Sequence, residues 1–523
     1  MNRLVNRDRD RDDDRDHVIV IDLGFGDAGK GTVVDWLCAA RAGAGGAGGV
    51  GRAGGAGGRA PTVVRFNGGA QAAHNVVTDD GRHHTFAQFG AGSFTPGCAT
   101  HLARTMLVDP FALVAEATHL ESVGVPDPFA RLTVDGEALL TTPYHAIANR
   151  VRELARGAGR HGSCGMGIGE TVSYALARPA VAPRVADCRS PSRLRARLRE
   201  LHDWLRAELA ALTASTEFAA STEFAAPTEL AAPVGLGGAG SGGQTGAARL
   251  TAVPAVEEIP EVEDCVAVLT AFGQLTRIVD SSWLRVLCDR GPVVFEGAQG
   301  VLLDEWHGFH PFTTWSTTTA RNAEELLAEV GRGGTARRLG VVRAYTTRHG
   351  PGPLVTEDAE LTAALPDVHN GTGRWQGAFR VGHFDAVAHR YAVEAAGGVD
   401  ALALTHLDVV ERLPPGLGLR VCDAYRIDGA TVSRLAPGPP GDLERQGALT
   451  RRLARAEPVL GARPDVDAWP DLVTELLEAP VTLLSRGPRA ADKQITGQTG
   501  HLLPSRSPDR LSAGAPCSPC TAR

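Results

Sequence analysis

The run His17-Val18-Ile19-Val20-Ile21-Asp22, then Gly24-Phe25-Gly26-Asp27-Ala28-Gly29-Lys30-Gly31-Thr32, then Val33 to Ala40, constrains the fold more than any other stretch. It reads as strand, glycine loop and helix. Glycines let the backbone bend tightly and approach a ligand, and the free N–H groups of the first helical turn point at whatever fills the loop. A phosphate is the natural occupant. The run comes within one residue of the pattern G-x-x-x-x-G-K-[ST]: Gly24, Gly29 and Lys30 fit, whereas Gly31 stands where Ser or Thr would meet magnesium and Thr32 comes one late. Among 53 basic residues only Lys30 and Lys493 are lysines, so a lysine here is not generic surface charge. Ammonium and guanidinium are not interchangeable, one a compact point charge and the other a planar fork.

Five more short apolar runs end in polar or glycine-rich loops. Val63 to Phe66 leads into Asn67-Gly68-Gly69-Ala70-Gln71-Ala72-Ala73-His74, and Val293 to Phe295 into Glu296-Gly297-Ala298-Gln299-Gly300. Leu339 to Tyr345 leads into Thr346-Thr347-Arg348, Ala401 to Leu404 into Thr405-His406-Leu407-Asp408, and Val481 to Leu484 into Ser485-Arg486-Gly487-Pro488. Helical patterns with loops are expected from His74 to about residue 210, among them the arginine-rich Ser192 to Arg206. Short apolar strands separated by helical segments predict an α/β fold, a large and mainly parallel sheet flanked by helices. Its ligands would gather at the carboxyl ends of the strands.

Residues 1–16 alternate arginine and aspartate, and 41–60 and 213–250 are low-complexity stretches unable to bury apolar area. They are expected to be a disordered N-terminus and two insertions in one catalytic domain spanning 17–500, with a disordered tail at 501–523. A net charge of −7 with 5% aromatics argues against a nucleic-acid partner. Nothing approaches the roughly 20 apolar residues of a membrane span, so no membrane partner is expected and the localisation reads as cytoplasmic. Nine cysteines, an odd number, suit reduced thiols, and the lone pair Cys517 and Cys520 has no second pair to complete a metal site.

Taken in order, these loops resemble adenylosuccinate synthetase, the family that joins aspartate to inosine monophosphate using GTP. The resemblance rests on Gly26-Asp27-Ala28-Gly29-Lys30-Gly31, Asn67-Gly68-Gly69 with His74, Gly162 to Gly169, Phe295 to Gly300 with Leu302-Leu303-Asp304, and Pro311-Phe312-Thr313-Thr314. It continues through Ala344 to Arg348, Thr405 to Asp408, and Ser485 with Gly487-Pro488. The resemblance implies a GTP-binding site like a P-loop, a magnesium ion, a 6-phosphoryl-IMP intermediate and a homodimer. By resemblance Asp27, His74, Lys30 and Gln299 are catalytic. Asp27 would take the proton from N1 and, with the Ala73 carbonyl, hold magnesium, and His74 would act at the transferring phosphoryl group.

Gly26, Gly29, Lys30, Gly31, Thr32, His406, Asp408, Ser485 and Gly487 match the positions that bind GTP, Asp408 and Ser485 with Gly487 meeting the guanine. Asp27, Cys164, Arg178, Gln299 and Thr314 match those that bind IMP, with Arg178 reaching across from the other subunit. Thr372, Arg374 and Arg380 match the loop that grips aspartate, where arginine suits a carboxylate. Several positions depart from the family pattern. Ala28 replaces a glutamate, Thr32 a second lysine, Cys164 a threonine, Met166 an arginine and His406 a lysine. The run 370–382 is longer than usual. By the same resemblance, the presence of Asp27 implies a hypoxanthine acceptor, since relatives taking a guanine nucleotide are expected to lack this aspartate. The altered loop leaves open a paralogous ligase for another amino acid or a modified purine nucleotide. A non-catalytic GTP-binding relative and a generic P-loop NTPase also stay open.

Overall fold

The structure, a computed structural model, describes residues 15–43, 60–213, 259–367, 370, 375–414 and 416–496. The two low-complexity insertions, both termini, the Cys517 and Cys520 pair, Thr372 and Arg374 lie wholly or largely outside that set.

Ten strands form one sheet: β1 (His17–Asp22), β2 (Thr62–Arg65), β3 (Ala99–Leu102), β4 (Leu132–Asp135), β5 (Arg277–Val279), β6 (Val293–Glu296), β7 (Ala336–Arg343), β8 (Ala401–Thr405), β9 (Val481–Ser485) and β10 (Lys493–Ile495). Their order across the sheet is β10-β9-β8-β7-β1-β6-β2-β3-β4-β5. All neighbours run parallel except β9 and β10. The expected mainly parallel α/β architecture is what the chain adopts.

β1 lies at the centre because every residue in it is apolar or paired. Val18 and Val20 face one hydrophobic cluster, Ile19 and Ile21 the other, and all are buried. Such alternation between two covered faces is what a parallel sheet with helices on both sides requires. The register pairs Val20 with Glu296 of β6 and Asp22 with Val341 of β7, so the ends of the three central strands come level. The chain runs outward from β1 through β2 to β5, returns through β6 between β1 and β2, and then builds the other half. The crevice at that reversal is where the loops converge.

One expectation needs correction. The stretch from His74 to about 210 is not only helix and loop: it contributes the hairpin His74–Val77 with His83–Phe86, and the sheet strands β3 and β4. These strands are four residues long and carry polar positions such as Thr100, His101 and Thr133. They therefore lack the continuous apolar signature of the central strands. The arginine-rich helix exists and is longer than expected, Pro191–Thr213.

Candidate functional site

The carboxyl ends of β1, β6, β7, β8 and β9, together with the loop after β2, enclose a cavity of about 320 Å³. Helix α1 (Lys30–Arg41) starts at its wall. Gly26 and Gly29 both have φ of 94°, a left-handed conformation that glycine adopts without strain. Asp22 at the end of β1 organises the loop: its carboxylate accepts from the Gly24 N–H (2.8 Å), the Ala28 N–H (2.9 Å) and Lys30 Nζ (3.0 Å). Lys30 Nζ also donates to the Gln299 carbonyl at 2.6 Å. An ammonium has three donors, so one is left for a ligand. A Cβ on Gly31 would lie 2.7 Å from His74 Cβ, which explains why no Ser or Thr occupies that position.

Asp27 lines the cavity with a positive φ of 58°. Its carboxylate lies 3.4 Å from His349 Nε2, and its carbonyl accepts from Arg343 Nη1 at 3.1 Å. Burial works against charge on Asp27, but His349, Lys30 and Arg343 outweigh it and hold the carboxyl below its ordinary range. Burial likewise opposes charge on His349, and Asp27 overrides it, so that ring's pKa is raised.

His74 Nδ1 meets Glu296 Oε1 at 2.6 Å, and the other Glu296 oxygen accepts from the Ala91 N–H at 2.9 Å. Burial lowers the His74 pKa and the Glu296 contact offsets it in part, leaving a neutral ring at neutral pH. Glu296 is fully buried, which raises its pKa, but Arg65, His74 and the Ala91 amide more than reverse this and keep it ionised. The histidine therefore donates from Nδ1 and turns Nε2 into an acceptor or, once protonated, a second donor.

Gln299, held at a φ of 56°, has a buried side-chain oxygen with no partner among the described residues, as do both amide atoms of Gln71. Both residues line the cavity. Buried orphan polar atoms facing a cavity are what a polar ligand satisfies. At the far end His406, Asp408, Ser485, Gly487 and Pro488 line the wall. His406 has a φ of 59°, and burial pushes its pKa well down, leaving a neutral ring. Asp408 forms an ion pair with Arg412, and Ser485 Oγ donates to the Gly487 carbonyl at 3.0 Å.

Of the residues singled out in the sequence, Gly26, Asp27, Gly29, Lys30, Gly31, Thr32, Ala73, His74, Gln299, His406, Asp408, Ser485 and Gly487 come together around this cavity. Four do not. Arg380 lines a second cavity of about 810 Å³, where it pairs with Glu357 at 2.6 Å and donates to the Gly350 and Gly352 carbonyls. Its place in the strand Phe379–Gly382, paired to Thr346–His349, turns it to that side. Thr314 sits one step back, its N–H on the Leu303 carbonyl, and Cys164 is half-buried in the glycine-dense loop. Arg178 is exposed, its guanidinium 5.6 Å from the Tyr174 ring centre. Thr32 is in the wall, but its hydroxyl donates to the Pro488 carbonyl at 2.7 Å rather than facing a ligand.

Asp22, Glu296, Arg343 and His349 went unassigned on sequence. Each stands at or just after a strand's carboxyl end, the one signal that marked them.

The pairing of Asp27 with His349 has a pH signature. The depressed Asp27 contribution is present above its unfolded value of 3.8 and lost as pH falls through the folded one. The raised His349 contribution is complete below 6.5 and lost as pH rises through its folded value. His349→Gln is therefore expected to destabilise the protein by about 1 kcal/mol at pH 5.5 and much less at pH 9, read by urea unfolding. An equal deficit at both pH values would show that the pair contributes nothing.

Magnesium prefers hard oxygen ligands and takes one or two carboxylates with substrate phosphates. Asp27, kept ionised, and Ala73 in the same cavity fit that demand. No group of three or more His, Cys, Asp or Glu residues suited to an all-protein metal cage occurs among the described residues. Among them, too, no helix is long and apolar enough to cross a membrane.

A family model described as adenylosuccinate synthetase matches residues 19–234 and 248–492. Adenylosuccinate synthetase of Acidithiobacillus ferrooxidans is 30% identical over 505 residues, covering 91% of this chain and 97% of that protein. Adenylosuccinate synthetase 1 of Cupriavidus pinatubonensis is 29% identical over 502 residues, covering 90% and 95%. The fully ligated adenylosuccinate synthetase from Plasmodium falciparum shares the fold, with a TM-score of 0.66 at 19% identity over 92% of this chain and 100% of that one.

Proposed function

The chain belongs to the adenylosuccinate synthetase family, ligases that form a C–N bond, and on that premise we propose that it joins L-aspartate to IMP through a 6-phosphoryl intermediate with GTP as donor. The observation that carries this reading is one cavity wall holding an ionised Asp27, a Glu296-bound His74 and a lysine with a free donor.

The 6-oxo group of IMP is a poor leaving group until phosphorylated. Asp27 takes the proton from N1, and the electrons released make O6 nucleophilic toward the γ-phosphoryl group. The O6–P bond forms as the bond to the β-phosphate oxygen breaks and GDP departs. Lys30 and the loop amides bind the phosphates, and His74 Nε2 faces the charge that builds on the transferring group. The uncharged aspartate amine then adds at C6, the C6–O bond breaks, and phosphate leaves with the former oxo oxygen, taking up the proton that the new C–N nitrogen sheds. Asp27 and the Ala73 carbonyl would hold magnesium, which when bound neutralises phosphate charge. The orphan side-chain oxygen of Gln299 and the orphan amide of Gln71 suit the polar edges of IMP. Exposed Arg178 fits a role in the partner subunit's site of a homodimer.

The test is phosphate release from GTP by the purified protein with magnesium and IMP, with and without aspartate. Aspartate-dependent turnover with the absorbance change of adenylosuccinate is expected. Turnover with a different amine, and none with aspartate, would overturn the choice of amino acid and favour the paralogous ligase.

A further inference from the structure

Lysine is all but absent from this chain, and the second of its two lysines is not explained by the phosphate loop. Lys493 opens β10, the antiparallel edge strand, yet its side chain is buried and runs beneath the end of the cavity lined by Ser485, Gly487 and Pro488. Its Nζ donates to the Gly487 carbonyl at 2.9 Å, to the Arg489 carbonyl at 2.9 Å and to Thr32 Oγ1. Thr32 Oγ1 in turn donates to the Pro488 carbonyl at 2.7 Å. All three donors of the ammonium are thereby used. Burying it is unfavourable, since desolvation lowers its pKa to about 8 against the pull of Asp492, Asp35 and Asp408. An arginine's planar fork could not meet three acceptors arranged around one point.

The consequence lies on the cavity side. Three successive carbonyls, of Gly487, Pro488 and Arg489, are occupied by donors in one cluster around Lys493 and Thr32. The Arg486 and Arg489 N–H groups are taken by Asp492, whereas the Gly487 N–H meets no acceptor among the described residues. The loop thus shows a nucleotide base a donor and withholds its acceptors.

We propose that Lys493 is a positioning residue for donor selectivity: tying these carbonyls to itself and Thr32 makes the loop take a purine with an oxygen at C6 over one with an amine. This rests on the GTP reading above. It assigns the second lysine to the base end of the nucleotide site and gives Thr32 a structural role in place of a phosphate contact.

The experiment measures kcat and KM for GTP and ATP, at saturating IMP and aspartate, for the wild type, Lys493→Met, Thr32→Val and the exchange Thr32→Lys with Lys493→Thr. Lys493→Met is expected to lower the GTP-to-ATP ratio of kcat/KM about 10-fold, mainly through KM for GTP, with KM for IMP unmoved. Thr32→Val should shift the ratio the same way by less. The exchange, which carries the ammonium from α1 instead of β10, should restore most of it. A general loss of structure would lower GTP and ATP activity together and leave the ratio unchanged; that result overturns the proposal. Should Lys493→Met fail to fold, Thr32→Val and the exchange carry the same ratio test. A wild type with no preference for GTP overturns the donor reading first, and the proposal with it.

Discussion

Asp27→Asn is expected to cut the aspartate-dependent reaction by about 10³-fold, with the fold and GTP binding retained. Three features of the position make this a clean test. Its φ of 58° is left-handed, and asparagine is among the few residues that tolerate such a backbone, so the substitution adds little strain. The amide matches the carboxylate in shape but cannot accept the N1 proton or offer a charged oxygen to magnesium. The contacts that hold the glycine loop and Lys30, through the Asp22 carboxylate and the Gln299 carbonyl, do not pass through the Asp27 side chain. Single-turnover GTP cleavage in the presence of IMP, without aspartate, isolates the step. Retention of activity within about 10-fold of wild type would remove Asp27 from the role of base.

The sequence exposed the centre of this molecule and hid its edges, for a physical reason. The six strands read from apolar runs are β1, β2, β6, β7, β8 and β9, and the sheet places them side by side without a gap. A strand covered on both faces must be apolar throughout, and that leaves a mark in one dimension. β3, β4, β5 and β10 are short and mixed in polarity, and only their neighbours make them strands. The loops followed the same rule. Those at the carboxyl ends of the central strands were legible because glycine, histidine and aspartate have no other reason to interrupt an apolar run there.

Partnerships were not legible. Glu296 and His74 are 222 positions apart, and Lys493 and Thr32 are 461 apart. Chemistry at either end announces a polar group but not its mate. Arg380 shows the converse: an arginine in a motif-like run is drawn by Glu357 and two carbonyls into another cavity once the hairpin fixes its direction. The lysine economy of the chain did mark Lys493, though not what it holds.

His74→Ala is expected to lower kcat by about 10² to 10³-fold with KM for GTP changed far less. Alanine keeps the Cβ against which Gly31 packs, so the loop entrance stays filled and the loss reports the imidazole alone. The ring is neutral in the free protein because burial outweighs Glu296, and its Nδ1 is already committed to that carboxylate. Phosphate charge arriving at Nε2 favours the protonated ring, which can then donate to the transferring group while Glu296 carries the countercharge. Glu296→Gln tests that coupling. The amide can still accept from the ring or the Ala91 N–H, but it cannot balance an imidazolium, so kcat should fall about 10-fold or more. The pH above which activity declines should also move lower, because the ring loses its proton more readily. Equal kcat values and an unshifted profile in this variant would leave Glu296 as a packing residue and return His74 to the role of a neutral hydrogen-bond partner.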